Sequence, residues 1–153
     1  MNDGIGRVLV LGANGRLGRA AARAFAAAGW SVVAQVRRAP ADPLAGGVEY
    51  LECEIADAAR IVARARGAEV VVNGLNPIYT RWAREAMPMA RAAIDIATAL
   101  GALLMLPGNV YNFGRAMPAL LDEAVPFAPT TSKGRIRVAI ERAIEDATTR
   151  GLR

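Results

Sequence analysis

Five short apolar runs punctuate the chain, at residues 8–11, 30–36, 48–53, 69–73 and 102–106. Each is bounded by turn residues and nearly continuous in its hydrophobicity. That pattern predicts strands covered on both faces rather than half-exposed hairpins. Between them lie Ala- and Arg-rich stretches of helical period, at 19–28, 58–66, 79–100 and 132–149. Gly29, Gly67 and Gly101 stand just past the first three of these, where a left-handed residue ends a helix. Asp57 is placed to cap the second, and Pro88 is expected to kink or split the third. In the last helix Ile136, Ile140 and Ile144 fall on one face. The segments 39–47 and 107–131 carry prolines and glycines and read as loops. Strands alternating with helices predict an α/β chain with a parallel sheet and helical crossovers.

Composition adds size and compartment to this picture. With 153 residues and 54% hydrophobic positions, residues 1–153 make one domain with a substantial core. Aromatics are only 5%, so Ala, Val, Leu and Ile must fill it. No apolar run is long enough to span a membrane and the first residues, Met1–Gly6, lack a secretory pattern, so a cytoplasmic protein is expected. The net charge of +5 suits an anionic ligand. The arginines are scattered over helix faces without aromatic interleaving, which argues against nucleic acid. There is no histidine and a single cysteine, so an internal disulfide, a His-based triad and the common zinc sites are excluded and no metal is expected. Cys53, beside an apolar strand, reads as a small core residue.

The candidate chemistry starts at the turn after the first strand. Gly12, Gly15 and Gly18 follow the run 8–11 and open the helix. A strand, a glycine turn and a helix in that order aim backbone N–H groups, at the positive end of a helix dipole, toward an anion. The anion that matches is a dinucleotide pyrophosphate, held by Gly12, Asn14, Gly15, Arg16, Leu17 and Gly18. The second strand ends in Arg37-Arg38 rather than in an acidic residue. Guanidinium groups pair with a 2′-phosphate, which favours NADP over NAD; the bland alternative is a solvated basic loop.

The spacing Gly-x-x-Gly-x-x-Gly, with Glu52–Asp57, Val70–Asn73 and Gly108–Gly114, resembles the short-chain dehydrogenase/reductase superfamily. Within it the chain looks most like the extended and atypical branch that includes the NAD-dependent epimerase/dehydratase proteins. The resemblance implies a Rossmann-like doubly wound parallel sheet of about five strands, order 3-2-1-4-5, with helices on both faces. It implies hydride transfer between NAD(P) and a small-molecule substrate, by an oxidoreductase or a sugar-nucleotide epimerase/dehydratase. It places Glu54 at the adenine and Asn73 and Gly74 beside the nicotinamide ribose, although those two also read as a plain turn. The family's Ser/Thr after the fifth strand falls on Pro107. Its Tyr-x-x-x-Lys pair falls on Pro129 and Lys133, the latter the only lysine in the chain. Proline has no proton to give. Tyr111 is then the candidate acid/base, Lys133 the cofactor contact, and Asn109, Asn112, Thr131 and Arg81 candidate substrate contacts, with Trp82 beside Arg81. Pro107 and Pro129 keep a second reading open, a non-catalytic NADP-binding redox sensor or regulatory module. A third is an interaction domain with a vestigial cleft.

The resemblance also implies a homodimer through the helix at 79–100 and the Ile136/Ile140/Ile144 face; the alternative is that both faces pack on the sheet. Residues 149–153 look like the approach to a sixth strand, which in the resembling proteins leads to a substrate-binding part. Without a neighbour, the fifth strand at 102–106 would be an exposed apolar edge.

Overall fold

The computed structural model describes residues 5–44 and 46–153. Residues 1–4 of the Met1–Gly6 segment and Ala45 of the 39–47 loop lie outside them. Five parallel strands form one sheet in the order β3-β2-β1-β4-β5. They are β1 (Arg7–Leu11), β2 (Ser31–Val36), β3 (Val48–Glu52), β4 (Val70–Asn73) and β5 (Leu103–Met105). The helices are α1 (Arg16–Ala27), α2 (Ala58–Arg64), α3 (Trp82–Leu100) and α4 (Ser132–Thr148). Sheet order and crossovers are those expected, and the element ends move by a few residues.

The strands alternate their side chains between two cores. Leu9, Leu11, Val33 and Val71 face α2 and α3, packing on Ile61, Ala93, Ile96 and Ala97. Val8, Val10, Val32 and Val72 face the other way, onto Ala22 and Phe25 of α1. Helices therefore cover both faces, and Val8 to Leu11 of the central strand are wholly buried. Each such side chain contributes about 1.5–3 kcal/mol of burial. The order of the strands reverses between β1 and β4, which pair in register from Val8↔Val70 to Leu11↔Asn73. In an open α/β sheet the crevice at the carboxyl ends of such a pair is where ligands bind.

Three expectations are revised. Pro88 neither splits α3 nor ends it; the helix is continuous from Trp82 to Leu100, preceded by a 3-10 turn at Tyr79–Arg81. Pro88 and Arg84 are both exposed, so the ring stands in solvent and the carbonyl that loses its N–H partner is reached by water. Asp57 occupies the cap position of α2 but its side chain makes no cap hydrogen bond. The isoleucine face of α4 is used within the chain: Ile140, with Ile136 and Ile144, packs on Trp82, Ala86 and Ala90 of α3. The free edge of β5 is met by residues beyond α4. The Leu104 N–H donates to the Arg153 carbonyl at 2.9 Å, and Leu152 is buried. Cys53 is buried, and that burial pushes its thiol pKa up, as befits a core residue. Among the described residues no helix is long and apolar enough to cross a membrane.

Candidate functional site

The glycine turn sits at the switch point of the sheet, and its three glycines do different work. Gly12 leaves β1 with φ +69, a left-handed conformation, and a Cβ there would press on the backbone of Gly74. A Cβ on Gly18 would overlap the Gly12 carbonyl oxygen and lie 2.9 Å from Ala13 Cα. Gly74 is equally confined, with a Cβ 2.7 Å from the Leu11 carbonyl oxygen and 3.1 Å from Gly18 Cα. Gly18 and Gly74 are thus the points where α1 and the turn after β4 close on β1. Gly15 differs. It is exposed, and its Cβ would meet only the Gly12 and Gly74 carbonyl oxygens, at 3.3 and 3.8 Å. That contact is looser than those at the other three glycines, and Gly15 alone of the four is exposed.

Gly15 is also the N-cap of α1. No side chain caps the helix and its first turn holds no acidic residue. The first N–H groups of α1, and the positive end of its dipole, therefore remain available to an outside acceptor. Asn14 Nδ2 donates to the Arg38 carbonyl at 2.7 Å, tying the turn to the end of β2. Arg37 and Arg38 are exposed there, and the Ala39 N–H donates to Glu52 Oε2 at 2.9 Å. Glu54, just after β3, is exposed on the same side.

Sequence reasoning missed the residue that holds this corner. Gln35 is 1% exposed. Its Oε1 accepts from the Gly12 N–H at 3.0 Å, and its Nε2 donates to the Cys53 carbonyl at 2.7 Å. The Gln35 carbonyl accepts from the Ala13 N–H at 2.9 Å. One side chain thereby pins the ends of β1, β2 and β3 together. The signal was a lone amide in the apolar run Ser31–Val36.

Beside the turn a cavity of about 280 Å³ opens between the carboxyl ends of β4 and β5 and the helices α3 and α4. Leu17 of α1 and Asn73-Gly74 form its near wall, so it is continuous with the glycine corner. Trp82, Met89, Leu106, Pro107 and Ile140 supply apolar walls. Arg137, unforeseen in the sequence, is buried against it, with Nε donating to Glu141 Oε1 at 2.5 Å.

The residues expected at the chemistry divide into two groups. Lys133 and Tyr111 are brought together by a third residue, Tyr79. The Lys133 Nζ lies 3.7 Å from the centroid of the Tyr79 ring, and the Tyr79 and Tyr111 hydroxyls are 3.3 Å apart. The hydrogen bond with Tyr79 pushes the Tyr111 phenol pKa up. Trp82 stacks on Tyr79 with ring centroids 6.1 Å apart and meets the Tyr111 ring edge-on at 6.4 Å, linking this cluster to the cavity wall. The other candidates are engaged elsewhere. Asn109 Oδ1 accepts from the Tyr111 N–H at 3.0 Å. Asn112 is buried and donates to Glu141 Oε2 at 3.0 Å. The Thr131 hydroxyl caps α4 by accepting from the Gly134 N–H at 3.0 Å. Arg81 is exposed and pairs with Glu85 at 3.8 Å. None of these four lines the cavity.

Comparisons with known proteins agree with this architecture. A dTDP-6-deoxy-L-talose 4-dehydrogenase (NAD(P)+) of Kitasatospora kifunensis is 30% identical over an alignment of 155 positions that covers 95% of this chain and 48% of that protein. The UDP-glucose 4-epimerase from Brucella ovis, solved in complex with NAD, superposes with a TM-score of 0.79 at 17% identity. That match covers 95% of this chain and 49% of the epimerase. The Bordetella bronchiseptica enzyme WbmG, also in complex with NAD, gives 0.76 at 21% identity over 92% of this chain and 49% of its own. The chain spans about half the length of these proteins. The two structures establish the fold alone, a doubly wound parallel sheet. The NmrA-like family model matches residues 5–99, from before β1 to near the end of α3, and the chain belongs to the NmrA-like family.

Proposed function

We propose that this chain is the dinucleotide-binding unit of an NAD(P)-dependent enzyme, an oxidoreductase or sugar-nucleotide epimerase/dehydratase that works by hydride transfer. The observation that carries the reading is the exposed turn at Gly15, at an uncapped helix N-terminus on the sheet's switch point. A cradle that a Cβ would fill, facing unpartnered N–H groups, fits a pyrophosphate. Gly12, Gly15 and the first turn of α1 would hold it, and Arg37 and Arg38, tied to the turn through Asn14, would take a 2′-phosphate, so NADP is preferred to NAD. Glu54 would face the adenine, and Asn73 and Gly74 the nicotinamide end beside the cavity. The cofactor supplies the hydride acceptor and donor.

The proton falls to the chain's own groups. Pro129 removes the family's phenol, and Tyr111 stands in for it as the acid. Its hydroxyl lies 3.3 Å from that of Tyr79, and that hydrogen bond raises its pKa above the ordinary phenol value. Lys133, across the Tyr79 ring, keeps a positive charge beside the pair. The second reading, an NADP-binding sensor without turnover, is favoured by Pro107, which presents an apolar ring to the cavity where a hydroxyl is expected.

Titration of the protein with NADPH and NADH, followed by nicotinamide fluorescence, tests the binding unit. Saturable binding is expected, tighter for NADPH, and no response to either sinks both readings. Hydride transfer to a panel of carbonyls and nucleotide sugars then separates them. Turnover that falls in Tyr111→Phe and Lys133→Ala identifies the enzyme. Binding with no turnover in any of the three proteins leaves the sensor.

A further inference from the structure

Three polar side chains line the cavity beside the glycine corner: Asn73, Asn76 and Arg137. Asn73 Oδ1 accepts from the Leu75 N–H at 3.2 Å, and Asn76 Oδ1 accepts from Trp82 Nε1–H at 3.1 Å. A backbone amide and an indole N–H can only donate, so both carboxamides are fixed with their NH₂ groups turned away from these partners. Neither NH₂ group has a protein partner among the described residues. Arg137, 7% exposed, completes the set. Its Nε is held by Glu141, whose other oxygen is held by buried Asn112, so the guanidinium is braced from behind. No acceptor among the described residues meets its two terminal nitrogens. The polar side chains that line this cavity thus keep N–H groups without a protein partner among the described residues, while each amide oxygen already accepts one hydrogen bond.

We propose that the cavity binds the carboxylate of a small organic acid, with Arg137 as the principal contact and Asn73 and Asn76 as flanking donors. Four observations select a carboxylate. The two free terminal nitrogens of Arg137 form a planar fork that matches two carboxylate oxygens. Glu141 offsets most of the guanidinium charge, which suits a monoanion better than a phosphate dianion. The remaining walls, Met89, Leu106 and Ile140 among them, are apolar and suit a carbon skeleton. The volume of about 280 Å³ accepts a small molecule rather than a whole nucleotide sugar. That the cavity takes a carboxylate stands on these contacts alone. That the acid is the hydride substrate rests on the cofactor reading above, through the shared wall at Leu17 and Gly74.

The test uses Trp82 fluorescence, since its indole lines the cavity while the other tryptophan, Trp30, packs against Phe25 on the opposite side of the sheet. Benzoate, benzamide and phenyl phosphate are titrated in parallel. Benzoate is expected to quench saturably and to bind at least about tenfold more tightly than either other probe, a difference of about 1.4 kcal/mol. Asn76→Asp keeps the acceptor for Trp82 and replaces the donor by an oxygen, so benzoate affinity should fall at least tenfold with an unchanged melting temperature. Arg137→Lys keeps the charge and removes the fork, and a similar fall is expected. Equal affinity for benzoate and benzamide, tightest binding of phenyl phosphate, or benzoate binding unaltered in both variants would overturn the carboxylate site. NADPH affinity, read by nicotinamide fluorescence, should be retained in both variants. Benzoate binding in a wild-type protein that fails to bind NADPH would overturn the assignment of the acid as hydride substrate and leave the carboxylate site standing.

Discussion

The glycine corner after β1 and the cavity after β4 lie side by side at the same end of the sheet, yet they are built by opposite means. At the corner, backbone meets backbone. A Cβ on Gly18 or Gly74 would push main chain aside, one on Gly12 would press on the backbone of Gly74, and Gly15 alone of the four is exposed. At the cavity, side chains hold side chains. Asn112 holds Glu141, Glu141 holds Arg137, Trp82 holds Asn76, and Tyr79 gathers Lys133 and Tyr111. A site made of main chain is specified by residues that lack a side chain, and its spacing is rigid. A site made of side chains can be rebuilt from other positions, as the phenols of Tyr79 and Tyr111 beside Lys133 illustrate where Pro129 has none. The resemblance to hydride-transferring proteins is accordingly sharp at the first site and thin at the second. The family match runs from residue 5 to 99 and stops before α4, which carries Lys133 and Arg137.

Substitutions at the corner separate packing from binding. Gly18→Ala should cost the most stability, about 3 kcal/mol, because its methyl meets main chain that cannot move without shifting β1 or α1. A urea melt reads this directly, and a loss under about 1 kcal/mol would show that α1 can slide on β1. Gly15→Val should do the reverse. NADPH affinity is expected to drop about a hundredfold or more, about 2.7 kcal/mol, with a far smaller change in the melt. Retained affinity would remove Gly15 from the phosphate site.

Gln35→Leu strips the shared brace and strands the Gly12 N–H and the Cys53 carbonyl. A loss of about 2 kcal/mol is expected, together with weaker NADPH binding because the turn loses its anchor. A variant as stable as the wild type would make the brace dispensable. Arg37→Ala has the smallest expected effect, a roughly tenfold weakening for NADPH, about 1.4 kcal/mol, with NADH nearly unchanged. Equal losses for the two cofactors would remove the 2′-phosphate assignment.

Much of the fold was legible because it depends on local patterns. Val8–Leu11 is wholly apolar since β1 lies at the centre of the sheet with both faces covered, and the central strand and its glycine turn could be read together. Gly29 and Gly101 ended their helices with positive φ as expected. Pro88 misled because its effect depends on which side of α3 it occupies, and that is decided by what α3 packs against. The isoleucines of α4 were correctly read as one apolar face, but the helix that covers it lies in the same chain. Asn112 and Thr131 carry groups suited to a substrate, yet the Asn112 amide N–H donates to Glu141 and the Thr131 hydroxyl caps the first turn of α4.

By itself, then, the sequence determined the α/β class, the parallel sheet and the place of the glycine turn. These follow from hydrophobic period and glycine spacing within short stretches, where each residue's neighbours along the chain are also its neighbours in space. The tertiary structure alone decided that Gly15 is exposed while Gly18 is packed, that Gln35 braces three strand ends, and that Arg137 lines the cavity. Those properties belong to contacts between residues far apart in the chain, and no local pattern records which hydrogen-bonding groups are already spoken for.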